Sequence, residues 1–169
     1  MNISKELAKK SFSIRENKFF LINSIIIIST FVIDRIFKVK IINQVDNGII
    51  YVNDYVNFDL VWNTGVGFGF LSSNSSVIYN SISILIGFIL IFIVFLIYKS
   101  ERIDKILFSL ILGGALGNFY DRINYNAVPD FIDIHYQTFH WFTFNMADIF
   151  ISIGIIILIT KDILITNEK

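Results

Sequence analysis

The stretch VIYNSISILIGFILIFIVFLIY, residues 77–98, decides the fold class of this chain, because none of its residues is charged. About 20 consecutive apolar residues are enough to cross the hydrocarbon core of a bilayer as a helix. A helix of a soluble bundle would instead carry charged residues at helical spacing on its outer face. The stretch therefore predicts a membrane-spanning helix and argues against a soluble bundle.

Three further blocks are uncharged: Phe19–Ile33, Ile106–Tyr120 and Ile149–Thr160. Over the whole chain 54% of residues are hydrophobic and 17% are charged, and the mean hydropathy is +0.66. Soluble domains carry about 25% charged residues. We predict an all-α integral membrane protein with four transmembrane helices and a small extracytoplasmic β-cradle. In this prediction residues 1–169 form one domain: a cytoplasmic segment over 1–18 and helices at about 19–37, 77–98, 103–122 and 145–165.

Charge and residue types exclude several classes of function. The formal net charge is zero, so no basic surface suggests nucleic acid as a partner. The chain has no cysteine, which excludes disulfides, thiolate catalysis and cysteine-ligated metals. Its two histidines, His135 and His140, lie in an expected loop and lack the H-x-x-x-H spacing of helical zinc sites. We therefore predict no catalytic metal and no cofactor.

The basic residues predict the orientation in the membrane, since cytoplasmic segments carry an excess of Lys and Arg. Ten of them lie before the first helix, between the second and third helices, or in the C-terminal tail. Both termini are then cytoplasmic, and segments 39–75 and 123–144 face outward. Four basic residues fall on the outer side: Arg35, Lys38, Lys40 and Arg122.

The first outward segment has the pattern of a small sheet. Apolar residues alternate with mainly polar ones from Val56 to Asn63, which is the period-two pattern of a half-buried strand. Upstream, Asp46-Asn47-Gly48 is a turn signal between two β-branched runs. We predict a sheet that lies on the membrane surface with its apolar side toward the lipid.

Polar residues from five places in the sequence gather at the predicted outer membrane face. Two pairs, Asn118 with Asp121 and Asn145 with Asp148, have a spacing of three that puts both side chains on one helix face. An ionised aspartate in the middle of a membrane helix costs about 2.5–3.5 kcal/mol. The set is too large for helix caps alone: Asp34, Asn63, Gly65, Asn118, Asp121, Arg122, Asp130, Asn145 and Asp148.

Each acidic residue also has a purely structural interpretation. Asp148 alone could cap a helix, Asp121 could pair with Arg122, and Asp34 could pair with Lys38 one turn later. Two aspartates that meet out of water, however, hold one proton between them. The ionised one then activates a water and the protonated one polarises a carbonyl, which is the chemistry of an aspartic peptidase.

Two other functions stay open at this point. A transporter would need polar groups through the whole bilayer depth, whereas the second helix offers only Asn80, Ser81, Ser83 and Gly87. A non-catalytic assembly subunit would use the same polar residues for contacts between helices.

Several sequence blocks together resemble the signal peptidase II family. The resemblance runs from about residue 20 to residue 160, and the order of the GGALGNxxDR and FNxAD elements makes it specific. The blocks are Asp34-Arg35-Ile36-Phe37-Lys38, NTGVGFGF (63–70), GGALGNFYDRI (113–123), Val128-Pro129-Asp130-Phe131 and FNMADIFISIG (144–154).

The resemblance implies an aspartic endopeptidase of the bacterial inner membrane that needs no cofactor. Its implied substrate is a prolipoprotein cut on the N-terminal side of a cysteine that carries diacylglycerol. Carried over residue by residue, the catalytic dyad is Asp130 and Asp148. Asp121 is the rival for the first position, but its neighbour Arg122 should keep it ionised. The implied supporting residues are Asp34, Lys38, Asn63, Gly65, Asn118, Asp121, Arg122 and Asn145.

The chain departs from the family's pattern at a few positions. Gly67 stands where the family usually has alanine, and Arg35 and Phe37 replace small or amide residues after Asp34. Pro129 directly precedes Asp130 and removes one backbone donor. None of these departures removes a residue of the predicted chemistry.

Overall fold

The protein is described here by a computed structural model, which covers residues 3–44, 48–65 and 76–167. Asp46 and Asn47 of the predicted turn, and Gly67, lie outside these ranges. The described residues form four helices: α1 (Ile3–Ile42), α2 (Ser76–Lys99), α3 (Arg102–Tyr125) and α4 (Met146–Asn167). They also form four strands: β1 (Ile50–Asn53), β2 (Val56–Asn63), β3 (Val128–Tyr136) and β4 (Phe139–Phe144).

Among the described residues, three helical segments are long and apolar enough to cross a membrane: Lys18–Ile42, Val77–Lys99 and Arg102–Tyr125. Large apolar side chains of α2 point away from the rest of the protein, as Phe88 and Ile91 do. A bilayer would cover such a surface, whereas water would not. The predicted membrane protein is therefore confirmed.

The first helix continues beyond the predicted end at residue 37, as far as Ile42. The predicted end is earlier because the charged residues Asp34, Arg35 and Lys38 have the pattern of a helix end at the membrane edge. Asp34 and Lys38 are instead fully buried against other helices. Charged residues that are paired inside a helix bundle do not end a membrane helix.

Helix α3 lies at the centre and packs against α1, α2 and α4. Its glycines allow close approach, because a Cβ atom at Gly113 would clash with Thr30 of α1. A Cβ atom at Gly114 would clash with the backbone carbonyl of Ala147 of α4. The apolar core beside these glycines comes from α2 and α3: Leu90, Ile93, Ile111 and Leu112.

Gly117→Ala is expected to destabilise the protein by about 1–3 kcal/mol, the usual cost of overpacking. A Cβ atom at this position would clash with Oδ2 of Asp34, which is fully buried. Gly87→Ala is the control, since its Cβ would lie 3.6 Å from the ring of Phe119, an ordinary contact. Unfolding by SDS, followed by tryptophan fluorescence, measures both. Equal stability of the two variants would contradict the expectation.

The strands form one antiparallel sheet in the order β1-β2-β3-β4. The predicted sheet of the first outward segment is present, but the sheet also includes the second outward segment. The expected loop around His135 and His140 was wrong, because these residues lie on β3 and β4 and pair with each other. The period-two pattern places charged residues on the exposed face of a strand, but Asp130 and Asp133 are both buried. The sequence of β3 therefore does not show the pattern of a half-buried strand.

Candidate active site

Lys38 is the centre of a buried polar network that joins α1 to α3. Its Nζ lies 2.8 Å from Oδ2 of Asp34, one helical turn away, and 2.7 Å from Oδ2 of Asp121. It also donates a hydrogen bond of 2.7 Å to Oδ1 of Asn118. The side chains of Lys38, Asp34 and Asp121 are fully buried. The buried ammonium group thus makes two hydrogen bonds, to Asn118 and Asp121, and its charge is balanced by the two carboxylates beside it.

A second cation of α1, Arg35, also pairs with Asp121: Nη1 of Arg35 lies 2.5 Å from Oδ1 of Asp121. Arg122 is not its partner. The guanidinium of Arg122 donates to the backbone carbonyl of Gly65 and lies over the ring of Tyr79, 5.7 Å from its centroid. The argument that Arg122 keeps Asp121 ionised was therefore wrong. Consecutive residues of a helix do not face each other, so the cations come from another helix.

Asp130 projects from β3 into a buried site and is only 3% exposed. Its Oδ1 accepts a hydrogen bond of 2.6 Å from Nδ2 of Asn145, and its Oδ2 accepts one of 2.8 Å from Nδ2 of Asn63. Burial, and to a smaller extent the charge of Asp148, raise the pKa of Asp130 to about 6, although the two amides and Lys38 act in the opposite direction. This carboxyl group thus holds a proton more readily than an exposed aspartate.

Asp148 lies in the first turn of α4, and Asn145 is the residue that caps this helix. Oδ1 of Asn145 accepts a hydrogen bond of 3.1 Å from the backbone N–H of Asp148. Oδ2 of Asp148 in turn accepts one of 3.1 Å from the backbone N–H of Asn145. This reciprocal pair is a capping box. The other oxygen of Asp148 accepts a hydrogen bond of 2.8 Å from Nδ2 of Asn118.

Asn145 therefore donates to both carboxyl groups, to Asp130 through its side-chain amide and to Asp148 through its backbone N–H. Asp34 extends this arrangement, because its Oδ1 accepts a hydrogen bond of 3.0 Å from the backbone N–H of Ala147. The first turn of α4 is thus held from the sheet, from α1 and from α3. One polar cluster at the end of the bundle contains Asp34, Lys38, Asn63, Asn118, Asp121, Asp130, Asn145 and Asp148.

Gly65 and Arg122 lie at the edge of this cluster. The backbone N–H of Gly65 donates a 2.8 Å hydrogen bond to Oδ1 of Asn63, and its carbonyl accepts from Arg122. Asn63 is thereby fixed with its amide group toward Asp130. Arg35 is a member of the network that was not predicted from the sequence, where it stands out only as a departure from the family's pattern. Its position three residues before Lys38 was the available signal, because that spacing puts both cations on one face of α1.

The family model described as signal peptidase (SPase) II matches residues 26–164, more than half of the chain. The chain belongs to the signal peptidase II family. This confirms the resemblance, and all members of the polar cluster fall within the matched part of the signal peptidase II sequence.

Individual members of the family are similar over most of their length. A "lipoprotein signal peptidase" of Pelagibacter ubique (strain HTCC1062) is 50% identical over 155 residues, which cover 90% of this chain and 93% of the relative. One of Francisella tularensis subsp. novicida (strain U112) is 38% identical over 122 residues, 70% of this chain and 75% of the relative.

The fold also has solved counterparts. A structure described as a bacterial membrane enzyme superposes with a TM-score of 0.74 at 28% identity, over 87% of this chain and 90% of the other. A second structure with the same description gives a TM-score of 0.67 at 28% identity, over 82% of this chain and 90% of the other.

Proposed function

We propose that this protein is an intramembrane aspartic endopeptidase that removes signal peptides from diacylglyceryl-modified prolipoproteins. It cuts on the N-terminal side of the lipid-carrying cysteine. Membership in the signal peptidase II family supports the removal of signal peptides from lipoproteins. The observation that carries the aspartic mechanism is that Asp130 and Asp148 both contact Asn145 inside one buried polar cluster.

In this mechanism Asp130 holds the proton and Asp148 is the base. The raised pKa of Asp130, about 6, favours its protonated form, and the positive end of the α4 dipole favours a carboxylate at Asp148. Asp148 takes a proton from a water, whose oxygen attacks the scissile carbonyl carbon while Asp130 donates its proton to the carbonyl oxygen. When the tetrahedral intermediate collapses, Asp130 recovers its proton from that oxygen, and Asp148 passes its own proton to the departing amine of cysteine.

The supporting residues act by holding the two carboxyl groups in place. Asn118 donates to Asp148 and is itself fixed by Lys38, and Asp34 and Asp121 neutralise that lysine. On the other side, Asn63 and Asn145 each donate an amide hydrogen to one oxygen of Asp130, with Gly65 and Arg122 fixing Asn63.

The membrane arrangement is part of the same proposal. Helix α4 is the fourth span, both termini are cytoplasmic, and the site opens at the outer face of the bacterial inner membrane, as the basic residues predict. We propose that the protein acts as a monomer.

A groove of about 370 Å³ between α1 and α3 suits a lipid-anchored substrate. One of its lining residues is Tyr120, and the guanidinium of Arg35 lies 5.0 Å from the centroid of that ring. An acyl chain in this groove would supply binding energy remote from the scissile bond. The groove is lined by Ile27, Ile28, Phe31, Leu116, Phe119, Tyr120 and Ile123.

A cleavage assay in detergent tests the function. The purified protein is given a precursor that carries diacylglycerol on its cysteine, and mass spectrometry identifies the products. We expect a product that begins with the modified cysteine, and no cleavage of the same precursor without lipid. Equal cleavage of the precursors with and without diacylglycerol would contradict the proposed substrate class. A folded protein that cleaves neither precursor would favour the transporter or the assembly subunit.

A further inference from the structure

A second cluster of chemically active side chains lies on the sheet, outside the polar cluster described above. It consists of Asp133 and His135 on β3 and His140 on β4. Asp133 lies three residues after Asp130, and side chains three positions apart on a strand point to opposite faces of the sheet. The group is therefore not part of the proposed peptidase machinery.

A bulge in β4 brings the three side chains to one side of the sheet. The register shifts so that His140, and not Trp141, lies opposite His135. Bulges commonly redirect a side chain in this way. Nδ1 of His140 then lies 2.8 Å from Oδ2 of Asp133, and Nδ1 of His135 lies 3.5 Å from the same oxygen.

The spacing of the three groups is close to that of a metal site. One nitrogen or oxygen atom from each lies within 4.8 Å of the other two. Bonds of about 2.0–2.1 Å to a tetrahedral zinc ion put neighbouring ligand atoms roughly 3.3 Å apart. The two imidazole rings are stacked, with their centroids 5.3 Å apart. Small side-chain rotations would therefore bring the two Nδ1 atoms and Oδ2 of Asp133 within bonding distance of one ion.

His135 supplies an independent indication. Its side chain is 9% exposed, and its Nδ1 is buried without a hydrogen bond. Its Nε2 lies 3.5 Å from Nδ2 of Asn57, whose own Oδ1 is also buried without a hydrogen bond. If the amide of Asn57 turns over, its Oδ1 accepts a hydrogen bond from Nε2–H of His135, and Nδ1 of His135 is left with a free lone pair. A histidine that binds a metal usually donates its other ring N–H in this way.

We propose that Asp133, His135 and His140 bind one divalent transition-metal ion of the zinc type, through Oδ2 and the two Nδ1 atoms. Two imidazoles and a carboxylate are ordinary zinc ligands. His140 is exposed, so a water completes the fourth position. The ion joins β3 to β4, and the end of this hairpin away from its turn carries Asp130 on β3 and leads from β4 into Asn145. It thus stabilises the hairpin without entering the reaction.

The full chain in detergent, purified with an affinity tag free of histidine, tests this proposal with Zn²⁺ alone. The chain has two histidines and no cysteine, so no other imidazole or thiol competes. We expect one Zn²⁺ per chain by calorimetry, and a Co²⁺ derivative with the visible absorption of a tetrahedral site. His140→Gln should weaken Zn²⁺ binding at least 10-fold, and Asn57→Leu by about 10-fold, as the loss of an outer partner does.

Asp54→Asn is the control, because Asp54 is an exposed carboxylate in the turn between β1 and β2 and is none of the three proposed ligands. Zn²⁺ should raise the unfolding temperature of the wild type and of Asp54→Asn, but not that of His140→Gln. His140 is exposed, so its replacement leaves the fold intact. Equal Zn²⁺ affinity in His140→Gln and wild type, or no binding to folded wild type, would overturn the proposal and leave an ordinary Asp133–His140 hydrogen bond.

Discussion

Asp148→Asn and Asp130→Asn are each expected to lower the rate of precursor cleavage by about 10²–10⁴-fold, the usual contribution of a general acid or base. Asparagine keeps the shape of the side chain, but it neither takes a proton from water nor donates one to the scissile carbonyl. The measurement is kcat on the diacylglyceryl-modified precursor, with the amount of folded protein determined for each variant. Binding of the lipid-modified precursor should persist, since the groove between α1 and α3 is unchanged.

Asp54→Asn is the control for this result, and Asp121→Asn tests the rival position of the dyad. Asp54 is exposed and lies in the turn before β2, whereas Asn63 of the polar cluster lies at the other end of that strand, so the Asp54 variant should cleave as wild type does. Asp121 is bound by two cations of α1 and makes no described hydrogen bond to Asp130 or Asp148. If Asp130→Asn kept full activity and Asp121→Asn lost all activity per folded molecule, the dyad would be Asp121 and Asp148 instead.

The pH profile of the wild type gives a second check on the role of Asp130. Its pKa is raised to about 6, so the protonated form that the mechanism needs is lost as pH rises through this value. The cleavage rate should therefore fall toward alkaline pH, with an apparent pKa that belongs to the coupled pair. A rate that keeps rising through this range would contradict a protonated Asp130.

Lys38→Met is expected to destabilise the protein by about 3–5 kcal/mol, the cost of removing one partner from a buried ion pair. Methionine has a similar length, but it leaves Asp34 and Asp121 without the ammonium group that lies between them. The free energy of unfolding in mixed micelles of detergent and SDS measures the effect. Replacing Asp34 by asparagine in the same chain should recover part of the loss, because one unpaired carboxylate is removed.

Lys161→Met is the matched control for Lys38. Lys161 forms an ion pair with Asp104 at the other end of the bundle, and both side chains are about a quarter exposed. Partly exposed pairs contribute about 0–1 kcal/mol, so this variant should be nearly as stable as wild type. A loss at Lys38 no larger than the loss at Lys161 would mean that the buried network does not stabilise the fold.

The sequence predicted the helices and the polar cluster well because both leave local signals. An uncharged run of 22 residues at 77–98 has few alternatives to a membrane helix. The spacing of three between Asn145 and Asp148 matches the capping box seen in the structure. Such patterns depend on neighbours in the sequence, so they are visible without tertiary structure.

Other features depend on distant partners and were missed. The continuation of α1 to Ile42 requires that Lys38 be neutralised by Asp121, which lies 83 residues away. Strand β3 contains two buried aspartates, which break the expected alternation, and its pairing with β2 stabilises it. The spacing of Arg35 from Lys38 indicates a shared helix face, but it does not identify the partner of Arg35, because Asp121 comes from another helix.

The distribution of charge between α1 and α3 has a consequence for how the protein enters the membrane. Helix α3 brings a carboxylate, Asp121, that is costly in lipid by itself, whereas α1 brings Lys38 and Arg35, the two groups that neutralise it. Chains are made from the N-terminus, so the cations are in the bilayer before the carboxylate leaves the ribosome. Within α1, Lys38 pairs with Asp34. When α3 packs against α1, Asp121 pairs with Lys38 and Arg35, which α1 has already brought into the membrane.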